Sequence, residues 1–299
     1  MSKRADERGV VGERRWLWPS FALPGVLWLL VLFVTPLYAV LAMAMGVTDT
    51  IFGDSLPVWN PLFWDPSTFV EVLGQLFTGQ LGVVFLRTLV YVVAATALSL
   101  LIGYPVAYYL ARHAGRYRVF LLILIIAPFW INYLMRMLAW VNLLANDGLV
   151  NKVLPGQVDW LSGRSEVVVL GLVYGYVPYM IIPLYAGLDR LPQSLVEAAR
   201  DLGASRTSAF FRVTLPMCRP IVVASVLLTC LPMLGDYYTA DLLSGSPRTS
   251  MVGNLINETV LTPGQTGQAG AFVLLVLLVS IIPMAYYVRS VSRDEAAAL

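Results

Sequence analysis

The stretch EAARDLGASRTSAFFRVTLP, Glu197–Pro216, is a long hydrophilic run inside a chain that is otherwise mostly apolar. The residues before Gly203 suit a short helix, and the glycine lies where a left-handed helix cap is wanted. Ser205 can cap a second short helix that runs to about Thr214, and we expect Pro216 to end that helix. The stretch therefore predicts two short helices that meet at a glycine and form a rigid knuckle.

The composition of the whole chain places this knuckle in a membrane protein. Of the 299 residues, 58% are hydrophobic and only 13% are charged. A soluble domain does not have this composition, and runs of about 20 apolar residues are long enough to cross a bilayer. We predict an all-α membrane protein with six transmembrane helices. The predicted spans lie near residues 21–46, 82–110, 118–141, 167–188, 218–240 and 269–288.

Lysine and arginine are distributed unevenly between the two sides of these spans. If the N-terminus is cytoplasmic, 15 of the 20 basic residues fall in the two tails and in the second and fourth loops. Because cytoplasmic loops carry the excess of basic residues, we expect both termini and the knuckle to face the cytoplasm. The predicted parts are a basic N-terminal tail at 1–20, a six-helix transmembrane domain at 21–290 and a C-terminal tail at 291–299. The cytoplasmic loop at 189–217 contains the knuckle.

Several kinds of catalytic sequence are missing from the chain. Lysine occurs only at positions 3 and 152, and no G-x-x-x-x-G-K-[ST] sequence is present. A phosphate-binding loop of that kind is therefore excluded. The sequence also shows no nucleophile–base arrangement and no metal-ligand cluster. We expect no catalytic residues in this chain, and we expect any ATP hydrolysis to come from another chain.

The knuckle resembles a known motif. Glu197-Ala198-Ala199, then three residues, Gly203, then nine residues and Val213-Thr214-Leu215-Pro216 are similar to the EAA loop of ATP-binding cassette importer permeases. In that family the loop forms a coupling helix that sits in a groove of a cytoplasmic ATPase. The resemblance implies the type I importer permease fold. It also implies ATPase-coupling roles for Glu197, Ala198, Ala199, Asp201 and Gly203.

The resemblance extends over most of the chain. The stretches Pro128–Asn151, Val173–Ser205 and Leu231–Ile256 are similar to the permeases of spermidine/putrescine importers. This implies a multi-pass protein of the bacterial inner membrane, a homologous second permease, an extracytoplasmic polyamine-binding protein and two ATPase subunits. ATP and magnesium would be bound by the ATPase, with no cofactor in this chain and no nucleic-acid partner. Permeases for ferric iron, sulfate, molybdate or phosphonates share the loop, so the substrate stays open, as does spermidine versus putrescine.

A polycationic substrate suggests which residues line the pathway. Ammonium and methylene groups are bound by carboxylates and by aromatic ring faces. The candidates on the third, fourth and fifth predicted spans are Trp130, Asn132, Tyr133, Tyr176, Tyr179, Asp236, Tyr237, Tyr238 and Asp241. For any single aromatic residue taken alone, a place in an interfacial belt is the favoured interpretation. Asp236 follows Pro232 and Gly235, which can break or kink the helix, so it suits a gate or substrate contact as well as an interfacial cap. Asp241 suits a solvated position.

Two further features concern the membrane interior. Gly171-x-x-x-Gly175 predicts close helix packing. Arg136 lies in the outer half of the third predicted span, where we expect its guanidinium to reach the interface. If Arg136 instead faced the pathway unpaired, an anion importer would be favoured, whereas pairing with Asp236 would fit a polyamine. A channel or an intramembrane enzyme is the alternative of a different class, and either would lack a copurifying ATPase.

Overall fold

A computed structural model describes residues 17–48 and 55–298, and these residues are almost entirely helical. The α-helices are α1 Leu17–Ala44, α2 Ser67–Thr78, α3 Gln80–Arg112, α4 Arg118–Ile126, α5 Tyr133–Leu144, α6 Leu149–Val153, α7 Ser165–Arg190, α8 Gln193–Asp201, α9 Arg206–Ala209, α10 Leu215–Met217, α11 Arg219–Leu234, α12 Tyr238–Leu243, α13 Val252–Leu261 and α14 Thr266–Ala298. Tighter 3-10 turns lie at Pro61–Phe63, Gly115–Tyr117 and Ala127–Trp130, and a π-helical turn lies at Phe210–Thr214. Two short strands, β1 Val47–Thr48 and β2 Ser55–Leu56, pair antiparallel. The expected all-α class is thus confirmed, with one small hairpin that the sequence did not predict.

The membrane-spanning helices agree in number with the sequence. Within the described residues, four helical segments are long and apolar enough to cross a bilayer, namely Phe21–Ala44, Leu81–Arg112, Ser165–Arg190 and Thr266–Arg289. Two further helix pairs pass the same test together but are sharply bent, at 91° and 64°. Counting each bent pair as one span gives the six predicted spans.

The third predicted span, 118–141, was expected to be one continuous helix, but it is broken. Helix α4 passes into the turn Ala127–Trp130, Ile131 is extended, and α5 begins at Tyr133 in a new direction. Pro128 lies in that turn and cannot donate a backbone hydrogen bond, which favours a break. Asn132 then caps α5, because its side chain accepts a 2.9 Å hydrogen bond from the Leu134 N–H. The break places Tyr133 at the start of a helix.

The fifth predicted span, 218–240, is also interrupted. Helix α11 ends at Leu234, and α12 begins at Tyr238. The first turn of α13 lies directly against this break, since a Cβ atom added at Gly253 would lie 2.7 Å from the carbonyl oxygens of Gly235 and Asp236. A side chain at position 253 would therefore push the two segments apart. The break is a packed feature of the fold.

The contacts divide the described residues into two compact units, one within 1–72 and 262–274 and the other within 73–261 and 275–299. In the first unit, the rings of Trp59 and Trp64 lie 6.2 and 6.1 Å from that of Tyr38 on α1. In the second unit, α3 and α7 pack along their lengths and α11 covers both. Its buried residues form several clusters, among them one around Leu172 and Met233, one around Leu110 and Leu184, and one around Met137 and Leu243. The residues considered below belong to this second unit.

Candidate functional site

Asp236 lies at the break after α11, and its side chain is almost fully buried, with a residue exposure of 7%. The carboxylate accepts four hydrogen bonds of 2.9 Å, from the hydroxyls of Tyr133 and Tyr176 and from the backbone N–H and the hydroxyl of Thr239. A buried carboxylate needs this number of donors to offset the loss of hydration. Asp236 therefore caps α12 and joins it to α5 and α7.

Glycines on α7 make the approach of these helices possible. A Cβ atom at Gly175 would lie 2.7 Å from the ring of Tyr133. A Cβ atom at Gly171 would lie 2.6 Å from Thr239 and 2.3 Å from Leu243 on α12. The close packing predicted from Gly171-x-x-x-Gly175 is confirmed, and its physical result is space for Tyr133 and Thr239, two of the three residues that donate to Asp236.

Aromatic rings extend from the carboxylate along one side of α7. The ring of Tyr176 lies 6.2 Å from that of Tyr133 and 5.9 Å from that of Tyr179. The Tyr179 ring in turn meets Phe129 edge to face at 5.1 Å. We call Asp236, Tyr133, Tyr176 and Tyr179 the carboxylate cluster. The structure thus brings together four of the nine candidate pathway residues.

The other five candidates lie outside the carboxylate cluster. Asn132 is used as the cap of α5, and Trp130 is 84% exposed on the turn before it. Tyr237 and Tyr238 stack on each other with ring centroids 4.0 Å apart, and Tyr238 is exposed. Asp241 is exposed as well, which agrees with the solvated position that the sequence suggested for it. These residues remain candidates only for a surface that borders the carboxylate cluster.

We expected the guanidinium of Arg136 to reach the membrane interface, and this prediction is wrong. The residue is only 8% exposed, and its guanidinium carbon lies 5.2 Å from the ring centroids of both Phe129 and Tyr133. Within the described chain it makes no ion pair with Asp236, and its Nε atom has no hydrogen-bond acceptor. The sharp bend before α5 explains the difference, since α5 does not continue the direction of α4.

Sequence reasoning missed three residues that shape this site. Thr239 supplies two of the donors to Asp236, and Phe129 supplies a ring to both Arg136 and Tyr179. Asn254 supports the break, because its side-chain amide donates a 2.9 Å hydrogen bond to the Tyr237 carbonyl. The three-residue spacing from Asp236 to Thr239 is typical of helix capping and was the available signal for Thr239.

The knuckle has the expected two helices and glycine. Helix α8 ends at Asp201, Gly203 has a φ of +90°, and the Ser205 hydroxyl accepts a 3.1 Å hydrogen bond from the Ser208 N–H. Pro216 was predicted to end the second helix, and the helical run Arg206–Met217 ends one residue later. The chain then bends by 64° at Cys218, between α10 and α11.

Around Gly203 the knuckle presents a polar surface with one large apolar side chain at the turn. A polar cavity of about 490 Å³ is lined by Glu197, Arg200, Asp201, Gly203, Ala204, Ser205 and Arg206. Glu197, Ala198 and Asp201 are exposed, Ala199 is half-buried, and Leu202 is 90% exposed. Leu202 was missed from the sequence. An exposed leucine beside charged residues on a tight turn suits an interface with another protein.

Three side chains connect the knuckle and its approach to the spanning helices. Phe210 meets Tyr104 and Tyr108 of α3 edge to face, at 5.8 and 5.7 Å. Arg112, at the end of α3, donates a 3.0 Å hydrogen bond to the carbonyl of Leu191, just before α8. Arg118, at the start of α4, pairs with Asp189 near the end of α7. A displacement of the knuckle is therefore resisted by α3, α4 and α7 together.

Comparison with known proteins gives independent evidence on the family of this chain. Residues 99–293 match the family described as binding-protein-dependent transport system inner membrane component. The spermidine/putrescine transport system permease protein PotB of Haemophilus influenzae is 39% identical over 198 residues, which cover 62% of this chain and 68% of the relative. PotB of Escherichia coli K12 is 38% identical over 208 residues, 66% of this chain and 75% of the relative.

Solved structures agree on the fold. A chain of a bacterial ABC transporter that imports the acidic polysaccharide alginate superposes with a TM-score of 0.67. The match is 20% identical in sequence and covers 94% of this chain and 96% of the other. The same transporter type has been solved in complex with an alginate pentasaccharide-bound periplasmic protein, with a TM-score of 0.66. With the permease fold and the family match in agreement, the chain belongs to the binding-protein-dependent transport system inner membrane components.

Proposed function

We propose that this chain is a permease subunit of an ATP-driven polyamine importer, with spermidine or putrescine as substrate. The observation that carries the proposal is the 38–39% identity to spermidine/putrescine permeases over about two thirds of the chain. The carboxylate cluster supports it, because a carboxylate surrounded by ring faces is the chemistry that binds ammonium groups. The permease then forms one half of the translocation pathway.

The partners follow from the same proposal. A homologous second permease supplies the other half of the pathway, an extracytoplasmic binding protein delivers the polyamine, and two ATPase subunits bind ATP and magnesium. The ATPase receives the knuckle through Glu197, Ala198, Ala199, Asp201 and Gly203, with Leu202 as an apolar anchor. Both termini and the knuckle face the cytoplasm of a bacterium, and the chain lies in its inner membrane.

A transport cycle connects the two sites. Closure of the ATPases on ATP moves the knuckle, and the contacts of Phe210, Arg112 and Arg118 transmit this movement to α3, α4 and α7. The two permeases then rock and open a shared cavity outward, where the binding protein releases its polyamine. Hydrolysis returns the cavity to the inside. Since one positive charge gains roughly 2.3 kcal/mol in crossing a potential of 100 mV, inward uptake is also electrically favoured.

An anion importer is the second candidate, and one observation favours it. Arg136 is buried in the second unit without a carboxylate partner among the described residues. An anionic substrate would supply that partner. The identity to polyamine permeases and the buried Asp236 weigh against this candidate, so the decisive experiment includes anions.

The test is the ATPase activity of the complex that copurifies with this chain, measured in lipid nanodiscs. Candidate binding proteins are added one at a time, each loaded with its own ligand. We expect stimulation by the polyamine-loaded protein and no stimulation by sulfate- or phosphonate-loaded proteins. Stimulation by an anion-loaded protein alone would keep the importer and overturn the substrate. Failure to copurify any ATPase would remove the coupling role of the knuckle.

The knuckle itself is tested by Gly203→Asp. The φ of +90° is unfavourable for any residue with a Cβ atom, although a Cβ atom there would meet nothing within 4 Å. We expect the variant to insert all its spans but to lose the ATPase or its coupling to transport. Gly203→Asn is the milder control. Asparagine has about the size of aspartate without its charge, and it adopts left-handed backbone more readily than most residues with a Cβ atom. Normal coupling in Gly203→Asp would contradict the assignment.

A further inference from the structure

Arg136 is an unusual cation for its surroundings. It is buried, its guanidinium lies 5.2 Å from the centroids of two aromatic rings, and no carboxylate of the described chain pairs with it. Its Nε atom also lacks an acceptor among the described residues. The side chain is therefore retained in this position by ring faces, without an ion pair that would have to be broken when it leaves.

The ring under this guanidinium belongs to the carboxylate cluster. Tyr133 contributes one ring face to Arg136 and donates its hydroxyl to the Oδ2 atom of Asp236 at 2.9 Å. Tyr176, the second phenol donor, adjoins the same ring. An ammonium group that used Asp236 together with the Tyr133 face would occupy the place where the guanidinium lies. Two positive charges repel each other strongly at such a short distance in a poorly hydrated site.

We propose that Arg136 is a tethered cation that covers the ring face beside Asp236 and is displaced when a substrate ammonium group binds. This inference rests on the proposed function, since it requires a cationic substrate. It assigns a specificity role to Arg136. A single small cation cannot gain enough contacts to move the side chain, whereas an extended polyamine gains a carboxylate and several ring faces at once.

The first test follows the guanidinium in the unaltered protein. The copurified complex in nanodiscs is treated with phenylglyoxal, which modifies accessible arginines, with and without spermidine, and the modified positions are found by mass spectrometry. We expect spermidine to increase the modification of Arg136. The internal control is Arg164, which stacks on Trp160 at 5.6 Å but is exposed, so that its modification stays constant. Unchanged or reduced modification of Arg136 on spermidine binding would overturn the proposal.

The second test removes the charge. Spermidine binding to the nanodisc complex is measured by calorimetry for wild type, Arg136→Gln, Arg136→Lys and the control Arg164→Gln. Removing the competing cation should tighten the Kd of Arg136→Gln by about fivefold, the factor that corresponds to one cation–π contact. Arg136→Lys keeps the charge and should stay near wild type. A weaker Kd in Arg136→Gln, in a complex that still assembles, would show that the guanidinium supports binding and would overturn the proposal.

The two tests separate this inference from the proposed function. If the wild-type complex neither binds spermidine nor responds to the polyamine-loaded binding protein, the proposed function fails. If spermidine binds while the modification of Arg136 and the Kd of Arg136→Gln stay at their control values, only the displacement of Arg136 fails. If sulfate instead protects Arg136 from phenylglyoxal, the side chain binds an anion and the displacement is excluded.

Discussion

At the scale of single residues, Asp236 is the side chain on which the candidate site depends. Its carboxylate accepts hydrogen bonds from Tyr133, Tyr176 and Thr239. In Asp236→Asn one oxygen becomes an amide donor, so at least one hydroxyl loses its acceptor. We expect a loss of about 1–3 kcal/mol in the free energy of unfolding and a large loss of polyamine uptake. Thermal denaturation of the purified complex and uptake into proteoliposomes measure the two effects.

The comparison for this variant is Asp241→Asn on the neighbouring helix α12. Asp241 is exposed, so we expect its substitution to change the free energy of unfolding by less than about 0.5 kcal/mol. Equal losses of uptake in the two variants would show that the pathway includes Asp241 and that burial of Asp236 is not the distinguishing feature. Normal uptake in Asp236→Asn would exclude the carboxylate cluster from the pathway.

Gly175 is the second residue whose substitution we expect to change both stability and uptake. An alanine Cβ would lie 2.7 Å from the Tyr133 ring, so the ring has to move away from Asp236. We expect Gly175→Ala to cost about 1–3 kcal/mol through overpacking and to lower uptake while expression in the membrane persists. Gly74→Ala is the matched control, because nothing lies within 4 Å of a Cβ atom at that position in α2. Full uptake by Gly175→Ala would mean that the position of Tyr133 is not critical.

Some residues of this site could be predicted from the sequence and others could not, for physical reasons. Asp236 and its tyrosines were predictable because a carboxylate and aromatic residues in apolar spans are uncommon and suit a cation. The glycine spacing on α7 predicted close helix packing, but it did not show which helices pack against α7. The position of Arg136 was not predictable, because it depends on the direction that α5 takes after the bend. Thr239 resembles any other threonine until the helix that Asp236 caps is known.

At the scale of elements, the connection from the knuckle to α3 passes through Phe210. Its ring makes edge-to-face contacts with Tyr104 and Tyr108, each worth roughly 0.5–1.5 kcal/mol. We expect Phe210→Ala to keep the ATPase bound while the ratio of transported polyamine to hydrolysed ATP falls. Simultaneous measurement of uptake and phosphate release in proteoliposomes gives this ratio.

The control for the connection is Phe211→Ala, the exposed neighbour in the same π-helical turn. Phe211 makes no ring contact with α3 in the described chain, although it meets Phe210 at 5.1 Å. We expect a smaller fall in the transport ratio for Phe211→Ala. The same fall in both variants would assign the effect to the turn as a whole, and an unchanged ratio in Phe210→Ala would exclude this path of transmission.

Breaks in the helices mark the limit of what hydropathy can show. The length and apolar character of the third and fifth spans were predictable, and Pro232 and Gly235 indicated a break in the fifth, but the 91° bend before α5 was not predictable. Pro128 and Gly235 permit these breaks, and contacts distant in sequence decide whether they occur. At Gly235 that contact is Gly253, 18 positions along the chain, whose missing side chain lets α13 approach the broken segment.

At the scale of the whole molecule, the charge distribution predicts the orientation of the chain in the membrane. With the knuckle in the cytoplasm, the loop that contains α6 lies on the outer side, because one span separates the two. Val153 of α6 and Leu202 of the knuckle are matched probes, since they are 82% and 90% exposed. Each is changed to cysteine after Cys218 and Cys230 have been replaced by alanine.

A membrane-impermeant maleimide added to intact spheroplasts should then label Val153→Cys and leave Leu202→Cys unlabelled. After the membranes are opened, Leu202→Cys should also react, which shows that its thiol is accessible and that the side of the membrane decided the first result. The reverse pattern would place the knuckle outside. It could not then receive a cytoplasmic ATPase, so the coupling role of Glu197 and Gly203 would fail together with the orientation. Labelling of both variants in intact spheroplasts would indicate that the span between them, α7, does not cross the bilayer.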